Sequence, residues 1–206
     1  MLTTLEVRWF ESGMPPAAVE RWFSVDCPGE LLGPPEERED LYLYPPEIEA
    51  LNIKLRQGNL ELKWRQAELG TRKFGSTKGI EENAICWEGK IEKWLKWIEL
   101  DSMPQNLLSP EVVKGKPWLA VKKVRRQRLY CGIRCELTQL GISNHSWWSI
   151  AFEMTQASAK GLESFEQVVS RVSETYRGPK LLAAHSYAYP RWLQEYAEEN
   201  SEIGEF

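Results

Sequence analysis

The 206-residue sequence holds only two histidines, His145 and His185, and four cysteines. So few histidines exclude a histidine-rich metal site. Cys131 and Cys135 are the only closely spaced thiols, and no second Cys or His pair accompanies them, as a structural zinc site requires. Scattered cysteines in a chain of this length read as reduced thiols in a cytoplasmic compartment. No apolar run approaches the ~20 residues that span a bilayer. The stretch from Met1 to Glu6 has neither the basic leader nor the apolar centre of a secretion signal, so neither export nor a membrane anchor is expected. Also missing are a glycine-rich phosphate loop, a dinucleotide fingerprint, a nucleophile elbow and any internal repeat.

Tryptophan, by contrast, is abundant: the chain has 10. The net charge is −4, from 26 Lys and Arg against 30 Asp and Glu, but the charges are segregated. Between Lys114 and Arg134 there are eight basic residues and no acid. The end of the chain is the reverse, with Glu195, Glu198, Glu199, Glu202 and Glu205 and no base. That end reads as a solvated tail over residues 196–206, following a single domain over 1–195. Segregation of this kind creates local potentials that a net charge conceals.

Alternation is the strongest local signal. Leu51–Arg56 and Leu60–Arg65 each alternate apolar and polar residues around a Gln57-Gly58-Asn59 turn, which predicts a β-hairpin. Ile53, Leu55, Leu62 and Trp64 share one face; Lys54, Arg56, Glu61, Lys63 and Arg65 share the other. Leu5–Phe10, Asp40–Tyr44, Ile91–Leu100 and Trp118–Tyr130 read as further strands, and Ile133–Ile142 with Ser146–Gln156 as a second hairpin. Pro15-Pro16 opens a helix over Ala17–Phe23. Leu162, Phe165, Val168, Val169 and Val172 place a longer helix over Lys160–Tyr176, and Met103–Pro117 reads as a long connection. The inventory is an α+β fold: mainly an antiparallel eight-stranded β-barrel with two or three helices packed outside. Two orientations of such a barrel are open. Its charged faces either meet water, with the apolar faces inside, or line a tunnel. In the second case Trp9, Trp64, Trp97 and Trp148 form an outer layer beneath the helices.

The order of these pieces resembles the CYTH family, the triphosphate tunnel metalloenzymes. Thr4-Leu-Glu6-Val-Arg8 matches that family's opening Glu-x-Glu-x-Lys strand, and Asp40-Leu-Tyr42 its Asp-x-Tyr strand. The basic hairpin follows, then Lys123-Val-Arg125 and a last hairpin carrying Glu136 and Glu153. Ser186-Tyr-Ala-Tyr-Pro matches the closing Ser-Tyr segment. The resemblance implies a tunnel with inward charges that binds a triphosphate or other small phosphorylated anion and hydrolyses it. Arg8, Lys54, Arg56, Lys63, Arg65, Lys123 and Arg125 would contact phosphates, by forked or point-charge pairing. Glu6, Glu136 and Glu153 would hold Mg²⁺ or Mn²⁺, with Glu6 and Glu153 the residues on which hydrolysis depends.

Thr4 stands where the family has a glutamate, and Arg8 where it has a lysine. Losing a charged ligand weakens the hold on a divalent ion. A second reading is therefore an anion-binding barrel without catalysis. A third is a nucleic-acid surface along Lys114–Arg134, with Trp118 and Tyr130 as stacking partners; the net acidity of the chain counts against it.

Overall fold

A computed structural model describes residues 1–43, 48–75, 87–98, 118–155 and 159–201. The connection expected at Met103–Pro117 lies outside these residues, as do Lys114, Lys116, Glu202 and Glu205. The strands are β1 (Leu2–Ser12), β2 (Glu30–Leu31), β3 (Glu36–Leu43), β4 (Leu51–Arg56), β5 (Asn59–Phe74), β6 (Trp87–Ile98), β7 (Trp118–Tyr130), β8 (Ile133–Ile142) and β9 (His145–Thr155). The helices are α1 (Ala17–Arg21), which widens into a π-type turn over Trp22–Asp26, α2 (Ala159–Ser173) and α3 (Tyr189–Ser201).

Every pairing is antiparallel. The strands follow the order β7-β3-β4-β5-β6-β1-β9-β8, and β8 pairs back onto β7, so eight strands close on themselves. The short β2 adds beside the far end of β7. Closure removes every free edge in the ring. Three hairpins turn through left-handed residues. Gln57 and Gly58 join β4 to β5, Cys131 and Gly132 join β7 to β8, and Ser143 begins the turn between β8 and β9. This backbone suits the twist of adjacent strands.

Strand alternation separates two environments. On β1, Leu5, Val7 and Trp9 point outward and are buried beneath α1 and α2. The same layer takes Ile133, Cys135 and Leu137 from β8, and Trp148, Ile150 and Phe152 from β9. Val19, Trp22, Phe165, Val169 and Val172 cover it. The main apolar core therefore lies outside the barrel, as the tunnel orientation required. Trp9 anchors it, touching Phe74 edge-on and Trp87 at 5.5 Å, while its indole N–H donates to the Glu88 carbonyl over 2.8 Å. Each such aromatic pair adds about 0.5–1.5 kcal/mol beyond area burial.

Trp148 joins Trp9 in this layer, whereas Trp64 and Trp97 are only half-buried. Trp94, Trp147 and Trp192 belong to the interior instead. α3 closes one end of the barrel. Phe10, Tyr42, Val121, Leu140, Ile142 and Trp147 continue the inward faces of their strands, and Trp192, Leu193 and Tyr196 from α3 pack on them. Trp192 stacks on Phe10 with centroids 5.1 Å apart. The boundary expected at residue 195 falls within this helix, whose Tyr196 and Ala197 are buried. The barrel is thus blind at the α3 end.

Candidate functional site

The remaining length of the barrel encloses a cavity of about 340 Å³. Nine cationic side chains line it, Arg8, Arg38, Lys54, Arg56, Lys63, Lys96, Lys123, Arg125 and Arg134, against the four carboxylates of Glu6, Glu92, Glu136 and Glu153. Asp40 and Glu61 bind several of these cations from within the wall. An acidic chain has gathered a positive excess in its interior. The residues expected from sequence as phosphate or metal contacts all reach this wall except Arg65. Arg65 is not on the cavity lining and pairs with Glu92 over 2.7 Å.

Asp40 organises the floor. Its carboxylate has no exposed surface and is shared by four cations: Lys123 at 3.1 Å, Arg56 at 3.1 Å, Arg38 at 3.3 Å and Lys54 at 3.9 Å. Burial works against its charge, but Lys123 and the forked Arg56 outweigh this and hold its carboxyl well below the usual range. Glu61 gathers cations in the same way across the β4–β5 pair, with Lys54 and Arg56 at 3.2 Å and Lys96 at 3.3 Å. Its pKa falls to about 2 because these three cations overcome the effect of burial.

Burial pulls Lys123 down to about 7, aided by Arg38 and Arg56 and opposed by Asp40. Its ammonium donates to the Tyr42 hydroxyl and lies 3.9 Å from the Tyr189 ring centroid. Arg8 lies 5.0 Å from the same ring, so both cations contact one aromatic ring presented by α3. Lys54 is likewise pushed well below its ordinary value, first by burial and then by Lys123 and Arg56.

On the opposite wall, Arg8 donates to Glu136 over 2.7 Å and to the Ser149 hydroxyl over 3.2 Å. Arg125 reaches Glu136 at 3.5 Å and also pairs with Glu36. Burial raises the Glu136 pKa, yet Arg8 and Arg125 prevail and keep it ionised. Glu6 and Glu153 face each other in the β1–β9 register. Lys63 donates to both, to Glu6 at a short distance and to Glu153 at 3.2 Å.

The three glutamates expected to hold a divalent ion do not fit that task. Among the described residues no group of three or more His, Cys, Asp or Glu is arranged to hold a metal. Glu6 and Glu153 converge on an ammonium, and Glu136 is taken by guanidinium groups.

Sequence reasoning missed Arg38, Lys96, Arg134, Glu92, Trp94 and Tyr189 as wall residues. The first had a signal: Arg38, Asp40 and Tyr42 alternate along β3 in the same phase as the basic hairpin. Among the described residues of the run Lys114–Arg134, the basic side chains do not share one face. Strand alternation sends Lys123 and Arg125 into the lumen, whereas Arg126 pairs with Glu20 and Arg128 donates to the backbone of Phe23, Ser24 and Gly29.

The architecture is therefore a closed antiparallel barrel with a charged lumen, as the tunnel resemblance implied. No protein-family model and no curated protein matches the sequence. Solved structures similar to it include a conserved hypothetical protein from Pyrococcus furiosus, at 16% identity and TM-score 0.44 over 84% of this chain and 94% of that one. The PH1012 protein from Pyrococcus horikoshii aligns at 16% identity and TM-score 0.43, also over 84% and 94%. The Pct1 RNA triphosphatase of S. pombe aligns at 12% identity and TM-score 0.46, over 86% of this chain and 85% of that one.

Proposed function

We propose that the chain binds a small polyphosphorylated anion, a linear triphosphate or a compound carrying one, in its blind lumen. The observation behind this reading is the excess of nine lumen cations over six carboxylates, the four on the cavity wall and those of Asp40 and Glu61 that pair with the same cations, inside a chain of net charge −4. Buried like charges repel strongly at low effective dielectric, so such an excess is a standing electrostatic cost unless an anion relieves it. Guanidinium groups offer phosphate oxygens paired donors and lysines add mobile point charges. Among the described residues the closed α3 end leaves the opposite mouth for entry, and the ligand's terminal phosphate would meet Lys123 and Arg8 beside Tyr189.

Ligand that binds only the native state raises stability by mass action, about 2.7 kcal/mol at a hundredfold excess over Kd. Tripolyphosphate should therefore raise the melting temperature in a saturable way, beyond sodium chloride at matched ionic strength. The double variant Lys54→Gln/Arg56→Gln should lose most of that shift. An unchanged melting temperature at millimolar tripolyphosphate, with or without Mg²⁺, would overturn the reading.

A further inference from the structure

The contact between Glu6, Glu153 and Lys63 goes beyond electrostatic balance. Glu6 and Glu153 are direct cross-strand partners, so their carboxylates project into the lumen side by side. A pair of carboxylates so placed marks the point where a cation sits, and one is already there, supplied by the chain. Lys63 projects from β5, which is separated from β1 by β6. Its ammonium reaches past that strand to take Glu6 Oε1 and Glu153 Oε2. Thr4 Oγ1 donates to the same Glu6 Oε1 over 2.8 Å, so both lone pairs of that oxygen are engaged. Arg134 approaches the other oxygen of Glu153 at 3.6 Å. Lys63, Glu6 and Glu153 all keep under a third of their side-chain surface exposed, so solvent does little to loosen the contact.

We propose that Lys63 is a built-in cation standing where a divalent metal would otherwise bridge Glu6 and Glu153, and that the lumen takes its polyanion free of metal. This rests on the reading of the lumen as a polyphosphate site. The substrate class narrows accordingly, to the uncomplexed polyanion rather than its Mg²⁺ salt. A metal-complexed triphosphate carries less negative charge, so it relieves less of the positive excess and gains less from it. Thr4 belongs to the same device: a neutral hydroxyl at that position orients Glu6 toward Lys63 without adding a charge that would call for a second cation.

The experiment has two independent arms. The first titrates Mn²⁺ into the phosphate-free protein and follows the loss of the free-ion paramagnetic resonance signal. The wild type should take up no Mn²⁺ at concentrations up to about 1 mM, the weak end of carboxylate cation sites. Lys63→Met, which removes the ammonium and leaves the carboxylates paired across the strands, should bind at least about tenfold more tightly than the wild type. Stoichiometric Mn²⁺ binding by the wild type would overturn the proposal, and so would a folded Lys63→Met with no gain. If Lys63→Met does not fold, the wild-type titration still decides.

The second arm measures tripolyphosphate affinity by calorimetry in EDTA and in excess Mg²⁺. Affinity in EDTA equal to or above that in Mg²⁺ supports metal-free capture. Binding that vanishes in EDTA and returns with Mg²⁺ overturns it while leaving the polyphosphate reading intact. Absence of binding in both buffers overturns the polyphosphate reading itself, and the Mn²⁺ arm then still judges the role of Lys63.

Discussion

The Lys123 ammonium lies 3.1 Å from the Asp40 carboxylate, and neither side chain has more than 2% of its surface exposed. Lys123 comes from β7 and Asp40 from β3, which are adjacent in the ring, so the pair ties two strands together at the floor of the lumen. The same carboxylate also serves Arg38, Lys54 and Arg56. One buried anion thus holds four cations at the floor of the lumen.

Asp40→Asn keeps the shape and removes the charge. Deleting one partner of a buried ion pair costs about 3–5 kcal/mol, because the other is left uncompensated. Here four cations lose their common partner, so the upper end of that range is expected in urea denaturation. A bound polyanion supplies what the substitution removes. Tripolyphosphate should therefore raise the melting temperature of the variant by more than it raises that of the wild type. A smaller shift in the variant would show that Asp40 acts on the ligand in some way other than by holding its cations.

Lys123 gives the site a pH dependence. Its pKa falls from 10.5 to about 7 on folding, chiefly through burial. Between those values the unfolded state carries a proton that the native state lacks, so this group's contribution makes stability rise with pH across the window. Ligand affinity runs the other way. An anion favours the protonated ammonium, so binding takes up a proton near neutrality and weakens as pH rises through about 7. Calorimetric titrations in buffers of different ionisation enthalpy read that uptake directly. Lys123→Met corrects for protons taken up by the phosphate itself, and an equal uptake by variant and wild type would exclude Lys123 as the titrating group.

The barrel was legible because alternation is a property of neighbouring residues. Lys54, Arg56, Lys63 and Arg65 announced a charged strand face without any knowledge of the rest of the fold. Which way that face points was not legible, since it depends on whether helices cover the outer side, and α2 lies nearly a hundred residues further along the chain. α3 was overlooked for a different reason. Tyr189, Trp192, Leu193, Tyr196 and Ala197 keep a helical spacing, but the glutamates between them suggested a solvated tail. Asp40 gains Lys123 from β7, about eighty residues away, and Tyr189 gains Arg8 and Lys123 from two distant strands, contacts that no local pattern announces.

At low pH the depressed carboxylates set the limit of stability. Glu61 titrates at about 2 in the folded chain against an ordinary value of 4.5, because Lys54, Arg56 and Lys96 overcome its burial. A carboxylate with a lowered folded pKa contributes stability that is present above 4.5 and is lost as pH falls toward 2. Asp40 and Glu136 shift in the same direction. The urea midpoint should hold between about pH 5 and 7 and then fall steeply below about pH 4.5. Glu61→Gln should start from a lower plateau and fall less steeply. Parallel curves for variant and wild type would count against this account.

Trp94 offers a direct optical signal. It lines the cavity, and its indole N–H donates to Glu92 Oε2 over 3.0 Å. Arg65 holds the other oxygen of the same carboxylate. An anion that draws on the surrounding cations changes the field at this indole, whereas Trp9 and Trp148 in the outer layer are shielded from it. Tripolyphosphate should therefore change the intrinsic fluorescence, and Trp94→Phe should abolish most of the change while preserving the thermal shift. A fluorescence response that survives Trp94→Phe would move the ligand away from this wall.

The two apolar regions should be separable by mutation, because only one of them supports the lumen. Gly89 on β6 lies against the outer layer, where an added Cβ would come within 2.4 Å of the Trp9 ring and 2.7 Å of Val7. Gly89→Ala should overpack that layer at a cost of about 1–3 kcal/mol. Trp192 sits in the plug, stacked on Phe10 and edge-on to Tyr189, and its truncation to alanine should cost about 3–5 kcal/mol. Tyr189 in turn carries the ring that Arg8 and Lys123 contact. Stability should therefore fall in both variants, but tripolyphosphate affinity should fall only in Trp192→Ala. Equal loss of affinity in the two would mean that the lumen responds to barrel stability as a whole and not to the floor that α3 provides.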